Sequence, residues 1–152
     1  MILNNDFFVN NWFSGSLIDR DRRLLINVLI MKRVLIVDDN RDIVWVVETI
    51  LKRYGFDVVS TLKGEEVMDK TQEYHPQLIL LDVFLSGIDG IEVCNNLKSD
   101  PLTKDIPIIM FSAHTNSHDV MKFCKADDFV AKPFDSNELV KKINFQIDNH
   151  LS

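Results

Sequence analysis

Short apolar runs alternate with amphipathic segments along the chain from residue 32 onward. The runs 34–37 and 78–81 contain no polar residue, which is typical of strands that are covered on both faces. Each run is followed by a segment whose apolar residues recur at helical spacing. Five strand–helix units in series predict an α/β fold, in which a doubly wound, five-stranded parallel sheet of order 2-1-3-4-5 carries five helices.

Capping residues mark where the predicted elements begin and end. Asn40 is placed to cap the first helix and Gly55 to close it, while Asp135 and Glu138 form a capping-box-like start to the last helix. The pattern predicts strands at residues 34–37, 56–60, 78–81, 106–111 and 129–131, and helices at 43–54, 65–74, 91–98, 117–124 and 135–147.

Residues 1–30 differ in pattern from the remainder and are predicted to be an N-terminal extension. The apolar stretch 24–31 follows two arginines, as in a signal peptide, but Asn27 interrupts it and no small-residue cleavage site follows. It is also shorter than the roughly 20 apolar residues of a membrane-spanning helix. We interpret Met31 as the natural start and residues 31–150 as one domain. A membrane-surface or partner-binding arm at residues 1–30 is the alternative.

The composition indicates an acidic chain from a reducing, cytoplasmic compartment. The 152 residues carry a net charge of −6, which matches nucleic acid poorly because phosphate neutralisation dominates that binding. The two cysteines, Cys94 and Cys124, form no CxxC pair, as expected where thiols stay reduced. We expect no nucleic-acid partner, no membrane span, and a monomer or weak homodimer in solution.

Polar residues follow four of the predicted strands. Asp38 and Asp39 follow the first strand, and Asp82 follows the third. Ser112 ends the fourth strand and Lys132 follows the fifth. Open α/β sheets bind ligands at the carboxyl ends of their strands, and the first and third strands are neighbours in the predicted order. Three carboxylates are therefore predicted to share one crevice with a hydroxyl and an ammonium group.

Three carboxylates in one crevice require a proton or a cation between them. Two like charges about 4 Å apart repel by roughly 4 kcal/mol at an effective dielectric constant near 20. Mg²⁺ suits an all-oxygen site and keeps positions open for phosphate oxygens, while Lys132 and Ser112 can bind further phosphoryl oxygens. This set of side chains favours phosphoryl transfer onto an aspartate.

In combination, these residues resemble the CheY-like receiver domain of two-component response regulators. The resemblance covers residues 32 to about 148. The stretches that carry it are 34–40 (VLIVDDN), 80–83 (LLDV), 87–90 (GIDG), 108–113 (IIMFSA) and 126–134 (ADDFVAKPF). It implies a flavodoxin-like fold and a phosphorelay function.

The resemblance also implies a role for each matching position. Asp82 corresponds to the phosphoacceptor. The implied Mg²⁺ ligands are Asp38, Asp39, Asp82 and the backbone carbonyl of Phe84. The implied phosphoryl-binding residues are Lys132, Ser112 and Ala113, the implied switch residues are Ser112 and Phe129, and the Lys132–Pro133 peptide bond is implied to be cis.

The expected function is that of a stand-alone signalling receiver and not of an enzyme. The phosphoryl donor would be a histidine kinase or a histidine phosphotransfer protein, and the signal would pass to an unknown downstream protein by contact. Three alternatives stay open. They are a haloacid-dehalogenase-like phosphohydrolase with an aspartyl-phosphate intermediate, a flavodoxin-like cofactor carrier, and a receiver-like scaffold that accepts no phosphate.

Overall fold

The computed structural model describes residues 31–113 and 117–150, and the predictions about residues 1–30 fall outside these ranges. From Lys32 onward, the described residues belong to one compact unit. Their core is a five-stranded parallel sheet. Its strands are β1 (Arg33–Val37), β2 (Asp57–Thr61), β3 (Leu78–Asp82), β6 (Ile108–Ser112) and β7 (Asp128–Ala131).

The strand order is β2-β1-β3-β6-β7. This is the predicted order 2-1-3-4-5, because two additional short strands, β4 (Phe84–Leu85) and β5 (Ile88–Asp89), lie between β3 and β6 along the chain. They pair with each other as an antiparallel hairpin outside the main sheet. The prediction missed this hairpin, since strands of two residues are too short to show an alternating pattern.

Five α-helices lie within the described residues, four between strands and one after the last strand. They are α1 (Arg41–Arg53), α2 (Val67–Tyr74), α3 (Gly90–Ser99), α4 (Ser117–Phe123) and α5 (Ser136–His150). The side chain of Asn40 accepts hydrogen bonds from the backbone of Asp42 and Ile43, so it caps α1 as predicted. Gly55 follows that helix with a φ of 85°, a conformation that favours glycine.

The observed helix bounds differ from the predicted ones by up to three residues at an end, and the second and fifth helices show the differences with a clear structural form. The helix predicted at 65–74 begins as a 3₁₀ turn, Gly64–Glu66, and becomes α-helical only from Val67, as is common at helix N-termini. The helix predicted to end at Ile147 continues to His150. The Nδ1 of His150 donates a hydrogen bond to the backbone carbonyl of Gln146, 2.8 Å away, and this contact lies within the added turn.

Alternating residues of the strands form a separate core on each face of the sheet. On β1, Val34 and Ile36 face α1 and α5, whereas Leu35 and Val37 face α2, α3 and α4. All four side chains are fully buried, which explains why the strand is apolar at every position. The sheet is thus covered by helices on both faces, and its carboxyl edge stays accessible to ligands.

Within the part of the chain that the structure describes, no helix is both long enough and apolar enough to span a bilayer.

Candidate functional site

An open cleft lies at the carboxyl edge of the sheet. It has a volume of about 470 Å³. The carboxyl ends of β1, β3, β6 and β7 and the segments directly after them contribute its predicted site residues, which are Asp38, Asp39, Asp82, Phe84, Ser112, Ala113, Lys132 and Pro133. Parallel strands all end at one edge of the sheet. This shared edge is why residues so distant in sequence meet here.

The three carboxylates predicted to share this cleft are in mutual contact range. One oxygen from each of Asp38, Asp39 and Asp82 lies within 4.8 Å of the other two. Asp38 is fully buried and Asp82 is 8% exposed. Buried like charges at this separation repel strongly, and burial removes the water that would screen them. The cluster therefore needs positive charge to hold it together.

Lys132 supplies part of that charge. Its Nζ lies 2.6 Å from Asp38 Oδ2 and 3.0 Å from Asp82 Oδ2, and it also lies 4.1 Å from the centre of the Phe111 ring. The lysine side chain is only 11% exposed. A cation paired with two carboxylates and stacked on an aromatic face is held in one position. Lys132 thus forms the cationic wall of the cleft.

Backbone pairing between β6 and β7 holds the main chain of Lys132 in place. The Lys132 amide donates a hydrogen bond to the Ser112 carbonyl, 3.0 Å away, which continues the pairing of β6 with β7. The following Lys132–Pro133 peptide bond is cis. Ser112, Ala113 and Pro133 line the cleft beside the lysine, and Ser112 is 2% exposed. The Ser112 hydroxyl and the Lys132 ammonium group therefore lie on the same wall of the cleft.

The surroundings of Asp82 act on its pKa in both directions. Burial raises the pKa of Asp82, and the neighbouring Asp38 carboxylate raises it further. The ion pair with Lys132 and a hydrogen bond from the Phe84 amide lower the pKa, but burial prevails and the net shift is upward. A raised pKa means that the fold disfavours the charged form of this carboxyl group.

Local hydrogen bonds orient the other two carboxylates. The amide of Asn40 donates to Asp38 Oδ1 at 2.8 Å, and the hydroxyl of Ser86 donates to Asp39 Oδ2 at 2.5 Å. Ser86 lies between β4 and β5, so the unpredicted hairpin contributes a contact to the site. Sequence reasoning gave Ser86 no role, because nothing in the local pattern links it to residue 39.

Gly90 belongs to the stretch 87–90 that carried the family resemblance, but sequence reasoning gave it no role of its own. A β-carbon at this position would lie 2.0 Å from the Asp82 carbonyl oxygen and 2.9 Å from that of Val83. The Gly90 amide donates a hydrogen bond to the Val83 carbonyl at 2.8 Å. The first residue of α3 therefore packs directly against the backbone that carries Asp82, and only glycine fits there.

Phe129 is the one predicted site residue in the described part of the chain that does not line the cleft. It is half-buried and packs against the core formed with α2, α3 and α4. Its backbone pairs with Met110 in β6, two residues before Ser112. Phe129 is therefore connected to the cleft through β6 and β7 and not by direct contact.

The side chains present fit a hard divalent cation such as Mg²⁺. Asp38, Asp39 and Asp82 each offer a carboxylate oxygen within the 4.8 Å cluster. Hard oxygen donors with an open face are what Mg²⁺ requires when it also binds phosphate oxygens. Among the described residues, this is the only group of three acidic, histidine or cysteine side chains close enough to hold one ion.

Comparison with known proteins gives one family match. Residues 34–144 match the family described as response regulator receiver domain. The match therefore begins in β1 and ends in α5, and it includes every strand of the main sheet.

Solved structures agree with that match. A protein assigned as a response regulator from Chloroflexus aurantiacus J-10-fl shares 31% identity over 78% of this chain and 98% of its own, with a TM-score of 0.73. A CheY-like response regulator receiver domain protein from Methanospirillum hungatei JF-1 shares 26% identity over 79% and 96%, with a TM-score of 0.73. NtrX from Brucella abortus shares 25% identity over 80% of this chain but only 28% of its own, with a TM-score of 0.71.

Proposed function

Because this chain belongs to the response regulator receiver domain family, we propose that it is a phosphoacceptor whose Asp82 carboxylate receives a phosphoryl group. The single observation that carries the proposal is the position of Asp82. This carboxylate lies in an open cleft with Asp38 and Asp39 on one side and the Lys132 ammonium group 3.0 Å away. A nucleophilic carboxylate flanked by cation-binding groups is suited to accept phosphate.

The proposed reaction is an in-line displacement at phosphorus. An Asp82 carboxylate oxygen forms a bond to phosphorus, and the bond from phosphorus to the donor nitrogen or oxygen breaks with its electron pair going to the donor. A nitrogen donor, as in a phosphohistidine, takes up a proton as it leaves. The product is an acyl phosphate on Asp82, and no oxidant or reductant takes part.

Each cleft residue contributes a separate effect in this proposal. Asp38, Asp39, Asp82 and the Phe84 carbonyl would hold Mg²⁺, which when bound supplies positive charge for the phosphoryl oxygens. Lys132, whose ammonium group already faces Asp82, would pair with a phosphoryl oxygen attached to that carboxylate. The Ser112 hydroxyl and the Ala113 backbone donate hydrogen bonds on the same wall. These contacts offset the negative charge that phosphorylation brings into an acidic cleft.

We infer that the phosphoryl donor is a histidine kinase or a histidine phosphotransfer protein, and that the output is a protein contact. Exposed aromatic side chains on the late helices support such a surface. Phe123 at the end of α4 is 62% exposed, and Phe145 on α5 is 61% exposed. Aromatic side chains are enriched at protein–protein interfaces relative to the rest of a protein surface.

A switch that connects the cleft to this surface involves Ser112 and Phe129. Ser112 lines the cleft, while Phe129 lies half-buried on the neighbouring strand. Movement of the Ser112 hydroxyl toward a phosphoryl group would leave room for Phe129 to move inward. Phenylalanine has no hydroxyl to satisfy, so burial of its ring is favourable. If its side-chain rotamer is the same with and without a phosphoryl mimic, Phe129 is not a switch.

The test of the main proposal is phosphorylation by a small-molecule donor. We expect acetyl phosphate with Mg²⁺ to give a retarded band in Phos-tag electrophoresis for the native chain. Asp82→Asn should abolish this band. The matched control is Asp89→Asn, since Asp89 is exposed and asparagine also caps a helix well. A retarded band that persists in Asp82→Asn would overturn the assignment.

A turnover assay on the same protein tests the phosphohydrolase alternative. A receiver consumes one phosphoryl donor per acyl phosphate formed and releases phosphate only as Asp82 loses it. A phosphohydrolase would instead turn over a phosphomonoester such as p-nitrophenyl phosphate many times. We expect no sustained turnover of that substrate at a rate above the decay of the Asp82 acyl phosphate.

A further inference from the structure

Asp39 differs from the other two carboxylates of the acidic cluster in how it is held. Asp38 and Asp82 both accept hydrogen bonds from Lys132 Nζ, at 2.6 Å and 3.0 Å. Within the described residues, the hydroxyl of Ser86 is the only group that donates a hydrogen bond to the Asp39 side chain, at 2.5 Å from Oδ2. Since Asp39 is only half-buried, this one contact restricts how its carboxylate is turned.

A tight turn of the β4–β5 hairpin presents Ser86 to this carboxylate. Ser86 and Gly87 are the two residues that connect the paired strands, and Gly87 has a φ of 80°. A type II turn requires a positive φ at this second connecting residue, and glycine adopts it without a steric penalty. The turn therefore sets the backbone from which the Ser86 hydroxyl reaches Asp39.

Packing on both sides of the turn holds the hairpin in place. Leu85 is buried in the core that α2, α3 and α4 cover. Ile88 is half-buried and lies 3.0 Å from the place a β-carbon on Gly64 would occupy. At the base of the hairpin, the Gly90 amide donates to the Val83 carbonyl at 2.8 Å. The hydroxyl at the turn is therefore exposed, but the backbone that carries it is anchored on both sides.

We propose that Ser86 is a positioning residue that raises the affinity of the acidic cluster for a divalent cation, an inference that rests on the proposed function. A hydrogen bond from a hydroxyl to a carboxylate is charge-assisted and strong at this length. It holds Asp39 in the orientation in which one of its oxygens lies within 4.8 Å of oxygens of Asp38 and Asp82. Loss of such an outer contact to a metal-binding carboxylate typically lowers metal affinity by roughly 10–100-fold.

A competing role for Ser86 would have the opposite sign. If the hydroxyl had to leave Asp39 before the cation bound, removal of the hydroxyl would raise the affinity. The donor capacity of the carboxylate favours positioning. A carboxylate has about four lone-pair sites, so one hydrogen bond at Oδ2 leaves the others for a cation. The direction of the change in affinity therefore separates the two roles.

The experiment titrates the full-length chain with Mg²⁺, without a phosphoryl donor, and follows backbone amide shifts by NMR. We expect the Kd for Mg²⁺ to rise about ten-fold in Ser86→Ala, at the lower end of the usual range because the contact is exposed. Ser86→Thr keeps a hydroxyl and should restore most of the affinity. The matched control is Ser99→Ala, which removes an exposed hydroxyl that donates to the Asn95 carbonyl on α3 and should leave the Kd at its native value.

A second readout is the Mg²⁺ dependence of Asp82 labelling by acetyl phosphate. Ser86→Ala should need about ten times more Mg²⁺ for half-maximal labelling, while labelling at saturating Mg²⁺ stays near the native level. A general structural role would instead lower labelling at every Mg²⁺ concentration.

The outcomes separate this inference from the phosphoacceptor proposal. A native chain that binds Mg²⁺ and is labelled on Asp82, with an unchanged or lower Kd in Ser86→Ala, overturns the role of Ser86 alone. Uniformly reduced labelling with no change in Kd does the same. A native chain that neither binds Mg²⁺ nor accepts the label overturns both proposals.

Discussion

The first residue of α3, Gly90, packs directly on the backbone of Asp82. A β-carbon at Gly90 would be 2.0 Å from the Asp82 carbonyl oxygen, far inside any van der Waals contact, and the oxygen belongs to backbone that cannot swing aside. The position of the proposed phosphoacceptor is therefore determined in part by a residue without a side chain.

Gly90→Ala should destabilise the fold and impair the site together. Relief of the clash must shift β3 or α3, and overpacking of this kind costs roughly 1–3 kcal/mol. We expect urea denaturation to show that loss, and acetyl phosphate labelling of Asp82 to fall sharply. The control is Gly55→Ala, where a β-carbon meets nothing within 4 Å but φ is 85°. It should lose about 1–2 kcal/mol from backbone strain and retain labelling. Equal labelling in both variants would contradict the prediction.

Asp82→Asn should make the protein more stable at neutral pH in the absence of divalent cations. The folded-state pKa of Asp82 is raised, chiefly by burial. The folded protein therefore binds this proton more tightly than the unfolded chain does, and stability falls as the pH rises through the window between the unfolded and folded pKa values. Asparagine carries no such charge.

The measurement is the free energy of unfolding by urea with EDTA present, at several pH values from 4 to 8. The advantage of Asp82→Asn over the native chain should be small at the acidic end and should grow toward neutral pH. A variant that is less stable than the native chain at every pH would show that the attraction between Lys132 and Asp82 outweighs the cost of burial.

Lys132→Met should destabilise the protein far more than Lys142→Met. Lys132 is 11% exposed and pairs with two buried carboxylates, so its loss leaves buried charge uncompensated, at about 3 kcal/mol or more. Lys142 pairs with Asp128 at 2.7 Å, but its side chain is 31% exposed, and such surface pairs contribute under about 1 kcal/mol. Methionine retains most of the aliphatic stem in both cases. Urea denaturation at neutral pH compares the two variants, and equal losses would refute the central role of Lys132.

Mg²⁺ should stabilise the native chain through the acidic cluster. Ligand that binds only the folded state adds about 2.7 kcal/mol at a concentration 100 times its Kd, which is measured as a rise in the midpoint of thermal unfolding. Asp39→Asn should remove most of the rise, because it deletes one charged donor of the cluster. Asp105→Asn, at an exposed aspartate outside the cleft, should keep the full effect. A rise that survives in Asp39→Asn would place the ion elsewhere.

Much of the fold could be predicted because its signals are local. Apolar runs such as 34–37 and 78–81 showed the buried strands, and Asn40 showed where α1 begins. The strand order was confirmed, since handedness and alternation leave few ways to wind such a sheet. The β4–β5 hairpin was not predicted. Its strands are two residues long, and its Leu85 and Ile88 side chains pack against the remote Gly64, each 3.0 Å from the place a β-carbon there would occupy.

The sequence alone determined which side chains follow each strand, and therefore that Asp38, Asp39, Asp82 and Lys132 reach one edge of the sheet. Only the tertiary structure showed that Lys132 lies between two carboxylates and that Gly90 contacts the backbone of Asp82. The reason is physical. Periodicity along the chain reports which face a residue occupies, whereas contact distances between remote segments depend on strand register and helix packing, which no local pattern encodes.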